Sequence, residues 1–229
     1  MEKNLRLKLN IALTAFLFLA SFISVGVIFF SGGSGNMQVV GTRAFMYFTV
    51  DSNLLCGLAC LISCVYSILL LCGKIRRIPG WVSLLKFSGT SSALLTFTVV
   101  MCFLGLIYGY GAMFAGVNLY LHGVVPVLAA CSFVLLDPWA DIRGVRTLFG
   151  ILPVIVYGIF YIYLAVVLGP EKGGWYDFYS FNSGPLQGKW YLSVVVVIAV
   201  SYLLGLLILV LQRRSIGGSH RRVSGGRND

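Results

Sequence analysis

Long apolar runs, separated by short breaks that contain charged residues, glycine or proline, dominate the chain. Six runs have the roughly 20 residues that a helix needs to cross the hydrocarbon core of a bilayer: 9–30, 47–72, 86–109, 117–136, 147–169 and 190–211. Strands of a membrane β-barrel would alternate between two faces over about ten residues, whereas these runs are continuous. The pattern predicts an all-α polytopic membrane protein with six transmembrane helices in residues 1–212. We expect the basic tail, residues 213–229, to be disordered.

The composition agrees with a membrane protein and excludes other classes. Hydrophobic residues make up 59% of the 229 residues, and charged residues only 10%, whereas a soluble domain has about 25% charged residues. A soluble enzyme, a secreted disulfide module and a disordered chain are therefore excluded. The six cysteines lie within or at the ends of apolar runs and show no C-x-x-C spacing. The sequence thus predicts neither disulfides nor a metal site, and no motif implies an organic cofactor.

The distribution of basic residues predicts the orientation in the membrane. Lysines and arginines outnumber acidic residues by 17 to 7. Fourteen of the 17, Lys86 among them, lie at the termini or around the second and fourth connections, and the others are Arg43, Lys172 and Lys189. Cytoplasmic loops carry such an excess of basic residues. We therefore expect a multi-pass protein of the plasma membrane with both termini in the cytoplasm. The positive charge marks this membrane face and does not indicate a nucleic-acid partner.

Polar residues cluster where the second and fourth runs begin, at the predicted outer side. Thr49, Ser52 and Asn53 share one helical face by their spacing, while Asp51 points away towards another helix or Arg43. His122 lies within about one turn of the depth of Thr49. Asn118 precedes His122 by one turn on the same face. Because polar groups are costly in hydrocarbon, this cluster is a candidate functional site.

The residue types in this cluster fit nucleophilic catalysis. A threonine hydroxyl beside a histidine is a nucleophile with a potential general base. Asp51 would orient the imidazole of His122, and Asn53, Asn118 or backbone amides would stabilise an oxyanion in a pocket between the second, third and fourth helices. Ser52 belongs to the same polar face. The alternative is that these groups hydrogen-bond each other and fix the packing of the helices.

The predicted last outer loop, about residues 170–189, is rich in aromatic residues. Such residues are typical of the belt that sits at a membrane interface. Alternatively, the loop is a lid over the outward pocket. Its candidate residues are then Trp175, Tyr176, Asp177 and Asn182.

Two segments resemble a known family. The run Phe45–Leu55 resembles the "YFT-x-x-SN-L-L" opening of bacterial six-helix membrane proteins, which are distant relatives of the eukaryotic FAR-17a and androgen-induced membrane hydrolases. The segment Asn118–Pro126 is similar to their "N-x-x-x-H-x-x-x-P" signature. The aromatic loop is loosely similar to their "YPYPF-D" loop but lacks the prolines. The resemblance implies that Thr49 and His122 match the catalytic pair of the eukaryotic hydrolases. Those enzymes cleave fatty acid esters of hydroxy fatty acids within the bilayer.

The residues and the resemblance together favour an intramembrane hydrolase of a lipid-like ester. Thr49 would be the nucleophile and His122 the base and acid, with membrane lipids as neighbours and a lipid-like small molecule as substrate. The rival from another class is a transporter of small molecules or lipids, or a non-catalytic binding protein. A three-plus-three repeat, which many transporters contain, is not evident in the sequence.

Overall fold

The apolar runs form helices. The computed structural model describes residues 3–33, 38–183 and 186–224, and it is all-helical, with 80% helix and no strands in this part of the chain. The longer helices are α1 (Lys3–Ser31), α2 (Phe48–Leu71), α3 (Gly80–Tyr108), α4 (Tyr120–Leu136), α5 (Leu152–Leu168) and α6 (Trp190–Ser224). Short helical segments lie at Gly41–Met46, Tyr110–Met113, Gly144–Gly150 and Pro170–Lys172. The all-α prediction is confirmed.

Several of these helices are long and apolar enough to cross a membrane. Within the described residues, four meet both conditions: α1, α2, α3 and α6. A fifth is obtained if α5 is joined to Gly144–Gly150, from which it is bent by 45°. The apolar helix α4 is shorter. The structure thus establishes a bundle of apolar helices, and the number of six crossings stays a prediction.

Several helix boundaries differ from the predicted ones, and two of these differences change the placement of basic residues. α3 begins at Gly80 instead of residue 86, and α6 continues to Ser224, beyond residue 211 and into the predicted tail. Lys86, which we expected beside the second connection, is only 1% exposed inside the bundle. Its charge is compensated by Asp137, whose Oδ2 lies 2.6 Å from Lys86 Nζ. Lys86 therefore does not belong to the basic residues that mark a membrane face.

Contacts between distant segments show how the helices run. Near the start of α1, Asn10 donates to Ser67 at the end of α2, and Lys86 near the start of α3 donates to Asn10. Asp137 follows α4 directly, and its carbonyl oxygen accepts a hydrogen bond from Gln212 of α6. The starts of α1 and α3 therefore meet the ends of α2, α4 and α6. We call this the terminal end of the bundle, and the end where α2 and α4 begin the far end.

Glycine allows close contact between neighbouring helices. A Cβ atom at Gly89 of α3 would lie 2.8 Å from the Cα atom of Cys56 in α2. A Cβ atom at Gly57 would lie 2.8 Å from Ser21 Cβ in α1. Small residues of this kind allow helix backbones to approach in apolar surroundings. The first three helices are thus held together through positions that exclude larger side chains.

Candidate functional site

A cleft of about 390 Å³ lies at the far end of the bundle. Its walls come from α2, α3, α4, the segments next to these helices and the loop that follows α5: Tyr47, Thr49, Leu104, Tyr108, Met113, His122, Phe178 and Tyr179. Thr49 and His122, which lie 73 positions apart in sequence, therefore line the same cavity. The structure brings together the two residues that could act as a nucleophile and a base.

A local irregularity of α4 surrounds His122. Residues Tyr120–Val124 form a π-helical turn, and the backbone N–H of Val125 donates to the carbonyl oxygen of Tyr120. Pro126 has no N–H, so it cannot donate to His122 one turn earlier as a regular α-helix would require. π-helical turns occur frequently at functional sites. The sequence of α4 therefore favours a widened turn at the position of the imidazole.

The imidazole of His122 is held in one orientation. The side chain is only 2% exposed, and its Nδ1 lies 2.6 Å from the carbonyl oxygen of Met113. A carbonyl oxygen only accepts, so Nδ1 carries a proton in this contact, and in the neutral ring Nε2 then keeps its lone pair. The ring of Phe114 packs edge-on against the imidazole with 6.4 Å between the centroids. The imidazole of His122 is thus oriented by a backbone carbonyl, and its Nε2 is the nitrogen that can act as a base when the ring is neutral.

Thr49 is held by the neighbouring Asn53. The Nδ2 atom of Asn53 donates to the carbonyl oxygen of Thr49 at 2.8 Å and to that of Leu121 at 2.9 Å. Asn53 therefore connects the first turn of α2 to the residue that precedes His122. Both of its amide hydrogens are used in these bonds, so they are not directed at an oxyanion in the cleft. The structure makes Asn53 a positioning residue for Thr49 and His122.

The other predicted polar residues, Asp51, Ser52 and Asn118, do not line the cleft. The hydroxyl of Ser52 contacts the Thr49 carbonyl oxygen at 3.2 Å and Thr96 Oγ1 of α3 at 3.0 Å, which fixes α2 against α3. Asn118 is fully buried and is not among the residues that line the cleft. Asp51 lines a different groove, of about 850 Å³, between α2, α3 and α5. The carbonyl of Met113, and not Asp51, therefore orients the imidazole.

A second cavity, of about 80 Å³, adjoins the cleft and shares Thr49, Leu104 and Tyr179 with it. It extends between α3, α5 and α6, and its remaining lining is mainly aliphatic and aromatic: Phe48, Leu95, Thr96, Val99, Val100, Val154, Tyr157, Gly158, Tyr161, Phe181 and Val197. Thr49 therefore lies at the boundary between a cleft with polar groups and an apolar slot. This arrangement suits a molecule that has a polar group next to a hydrocarbon chain.

The loop that follows α5 is organised by Asp177. Its Oδ1 accepts hydrogen bonds from the Tyr161 hydroxyl at 2.7 Å and from the Phe181 backbone N–H at 2.9 Å. Its Oδ2 accepts one from the Asn182 backbone N–H at 2.7 Å. Asn182 Oδ1 in turn accepts a bond from the N–H of Gly188. Asp177 and Asn182 thus shape the loop and do not line the cleft.

The residues of this loop that cover the cleft are Phe178 and Tyr179. The Tyr179 hydroxyl accepts a hydrogen bond from the backbone N–H of Phe48 at 3.2 Å, and burial raises the pKa of Tyr179, which keeps the phenol protonated. Trp175 lines the groove that contains Asp51, and Tyr176 is 71% exposed. The two aromatic residues expected to form a lid therefore lie away from the cleft.

The sequence interpretation missed several residues of the cleft. Tyr47 and Tyr108 line it, and Met113 contributes the carbonyl oxygen that orients His122. Tyr47 belongs to the polar opening of the second apolar run, and Tyr108 to the end of the third, so their depth could have indicated them. The hydrogen bond that the Met113 carbonyl oxygen accepts from His122 could not be predicted from the sequence, because every residue carries a carbonyl group.

Comparisons with known proteins found no matching family model, no matching curated protein and no matching solved structure. The resemblance to the six-helix membrane hydrolases therefore stays a prediction that rests on the two short segments of this sequence.

Proposed function

We propose that the protein is an intramembrane hydrolase of a lipid-like ester. The observation that carries this proposal is the shared cleft: Thr49 and His122 line it together, and the Nδ1 bond to Met113 leaves His122 Nε2 as a base. The resemblance of Phe45–Leu55 and Asn118–Pro126 to membrane hydrolases supports the same pair of residues. No metal or organic cofactor is needed for this reaction.

The reaction uses His122 first as a base and then as an acid. Nε2 takes the proton of the Thr49 hydroxyl while Oγ1 attacks the ester carbonyl carbon. The tetrahedral intermediate collapses, the alcohol leaves with the proton from Nε2, and the acyl group stays on Thr49. A water molecule, deprotonated by Nε2, then attacks this acyl-enzyme. The carboxylic acid leaves and the Thr49 oxygen regains its proton.

The negative charge that develops on the ester oxygen needs hydrogen-bond donors. Because Asn53 donates both amide hydrogens to carbonyl oxygens, other donors are required. Tyr47, Tyr108 and Tyr179 line the cleft, and a tyrosine hydroxyl can donate a hydrogen bond. We assign the stabilisation of the oxyanion to this group of tyrosines and the positioning of Thr49 to Asn53.

The apolar slot beside Thr49 supports a substrate with a hydrocarbon chain. Its aliphatic and aromatic walls would gain free energy by taking such a chain out of contact with water. The ester group would then lie at the boundary, next to Thr49, and the alcohol part in the cleft beside Tyr108 and Phe178.

We also propose six membrane crossings with both termini in the cytoplasm and the cleft open to the outer side of the plasma membrane. Two observations support this orientation. The helix ends alternate between the terminal and far ends of the bundle, which supports six crossings. Most basic residues of the described part of the chain lie at the terminal end, which supports the orientation. Six crossings require that α4 and the bent α5 each cross the membrane once.

The hydrolase proposal is tested by labelling the purified protein with a fluorophosphonate probe, which reacts with activated serine and threonine hydroxyls. We expect Thr49→Ala to abolish labelling. His122→Ala should slow labelling by about 100-fold or more, the lower range of general base catalysis. Thr49→Ser should retain labelling. Thr98→Ala is the matched control, since the Thr98 hydroxyl bonds within α3 to Leu94 and lies outside both cavities.

A second candidate is a transporter or a non-catalytic binding protein for small molecules or lipids. The observation that favours it is the interruption of helices beside the cleft. Both α3 and α4 contain π-helical turns, and α3 is followed directly by Gly109, whose φ is 84°. Transporters place their binding sites at such breaks.

If the folded wild-type protein is not labelled, or if the folded Thr49→Ala and His122→Ala variants are labelled at the wild-type rate, the hydrolase proposal is wrong. The transporter or binding protein then takes its place.

A further inference from the structure

A second cleft, of about 320 Å³, lies at the terminal end between the segment Gly144–Gly150 and α6. On α6, Tyr202, Leu206 and Val210 recur one turn apart, and Arg213 ends the row. Tyr202 and Arg213 are about 16 Å apart along the helix axis. The α6 side of the cleft therefore extends over about three turns, with aliphatic residues between Tyr202 and the cationic group of Arg213.

The charged end of this cleft is formed by two arginines. Arg213 donates from Nη2 to the carbonyl oxygen of Ile142 at 2.7 Å. The two ion pairs found among the described residues are Lys86–Asp137 and Arg143–Asp141, so Arg213 has no carboxylate partner in this part of the chain. Arg143 lies on the opposite wall, and its Nε donates to Asp141 Oδ1 at 2.6 Å. Its two Nη groups remain available to bind a ligand. The mouth of the cleft thus carries net positive charge.

The polarity of the cleft follows the polarity of a membrane. Its aliphatic part lies on the apolar stretch of α6, and its arginines lie where that stretch ends. A free phosphate ion would use the arginines and leave the aliphatic part empty. A phospholipid would use both, because its phosphate binds guanidinium groups bidentately and its chains extend along α6. An anionic headgroup fits better than a zwitterionic one, whose ammonium group the arginines would repel.

We propose that this cleft is a binding site for an anionic phospholipid. The phosphate is held between Arg213 and Arg143, and one acyl chain lies along Leu206 and Val210 towards Tyr202. Basic pockets between membrane helices bind acidic lipid headgroups in this manner. The site lies at the end of the bundle opposite to Thr49 and His122, so it does not depend on the hydrolase proposal.

The experiment measures lipid binding to the full-length protein by native mass spectrometry in detergent. Phosphatidylglycerol and phosphatidylcholine are added in parallel at equal concentrations. We expect the wild-type protein to retain phosphatidylglycerol preferentially. Arg143→Ala and Arg213→Ala should each weaken this retention by about fivefold, the effect of removing one arginine near a lipid headgroup. Arg143→Ala is the main variant because Arg143 is exposed and its one ion pair among the described residues is with the similarly exposed Asp141.

Two further variants separate this site from a general attraction of the basic tail. Arg214→Ala removes a neighbouring charge that does not line the cleft, and it should leave retention unchanged. Asp141→Asn releases Arg143 and should increase retention. The proposal is overturned if phosphatidylcholine binds equally well, if Arg214→Ala weakens binding as much as Arg143→Ala does, or if inorganic phosphate displaces the lipid.

Discussion

The side chain of Lys86 shows how a charged residue is accommodated inside an apolar bundle. Its ammonium group contacts Asp137 Oδ2 at 2.6 Å, Ser132 Oγ at 2.8 Å and Asn10 Oδ1 at 3.0 Å. These three contacts match the three hydrogens of an ammonium group. Asn10 Nδ2 also lies 3.3 Å from Asp137 Oδ1. Residues of α1, α3 and α4 are thus held together by a polar cluster that is complete only when both charges are present.

Removing one charge of this cluster should be much more harmful than removing both. In Lys86→Met, the buried carboxylate of Asp137 loses its partner, and we expect a loss of about 3–5 kcal/mol in the free energy of unfolding. The double variant Lys86→Met/Asp137→Leu leaves no buried charge and should recover most of this loss. The midpoint of thermal unfolding in detergent measures both effects. Losses that simply add in the double variant would contradict the coupling of the two residues.

At the level of helices, the contact between α2 and α3 depends on Gly89. A Cβ atom there would lie 2.8 Å from Cys56 Cα and 3.1 Å from Cys56 N. Both atoms belong to the backbone of α2, so no side chain can move aside. The same contact face carries the Ser52–Thr96 hydrogen bond, which holds the turn of Thr49. The separation of these two helices therefore affects the geometry of the site.

Gly89→Ala should destabilise the protein although alanine is the better helix former. Forcing an extra methyl group into a packed contact costs about 1–3 kcal/mol. Gly26→Ala is the matched control, because a Cβ atom at Gly26 of α1 meets nothing within 4 Å. That variant should be stabilised by about 0.5–1 kcal/mol through helix propensity. Thermal unfolding of the two variants in the same detergent compares them, and equal midpoints would show that the α2–α3 contact is not tight.

The helices were largely predictable from sequence, because continuous apolar runs of this length have one stable form in a membrane. The start of α3 was not, since a lysine normally marks a membrane edge. Lys86 lies inside because Asp137, 51 residues later in the chain, neutralises it. The similar depth of Thr49 and His122 could be read from the runs. The orientation of the imidazole could not, because it depends on a backbone carbonyl, that of Met113.

Considered as a whole, the molecule has two chemically different ends. The far end contains the cleft with Thr49 and His122, and aromatic residues cover it. The terminal end contains the Lys86 cluster, the arginine-lined cleft, the start of α1 and the end of α6. If the basic end faces the cytoplasm, as loops rich in lysine and arginine do, the cleft lies at the outer side of the membrane.

Reporter fusions test this orientation of the whole molecule. A green fluorescent protein fused after residue 229 should be fluorescent, because it folds in the cytoplasm. Alkaline phosphatase fused at the same position should be inactive. Alkaline phosphatase fused after Lys172, in the loop that follows α5, should be active. An active phosphatase at residue 229 together with an inactive one after Lys172 would reverse the orientation.

The hydrogen bond between Phe48 and Tyr179 has a consequence for the way the cleft opens. The first N–H groups of a helix have no partner within the helix, and in α2 the Tyr179 hydroxyl takes up that of Phe48. A ligand that pushes Tyr179 out of the cleft therefore removes a cap from α2. The turn that loses its cap is the one that carries Thr49. Entry of a ligand and fraying of the helix that bears Thr49 are thus mechanically linked.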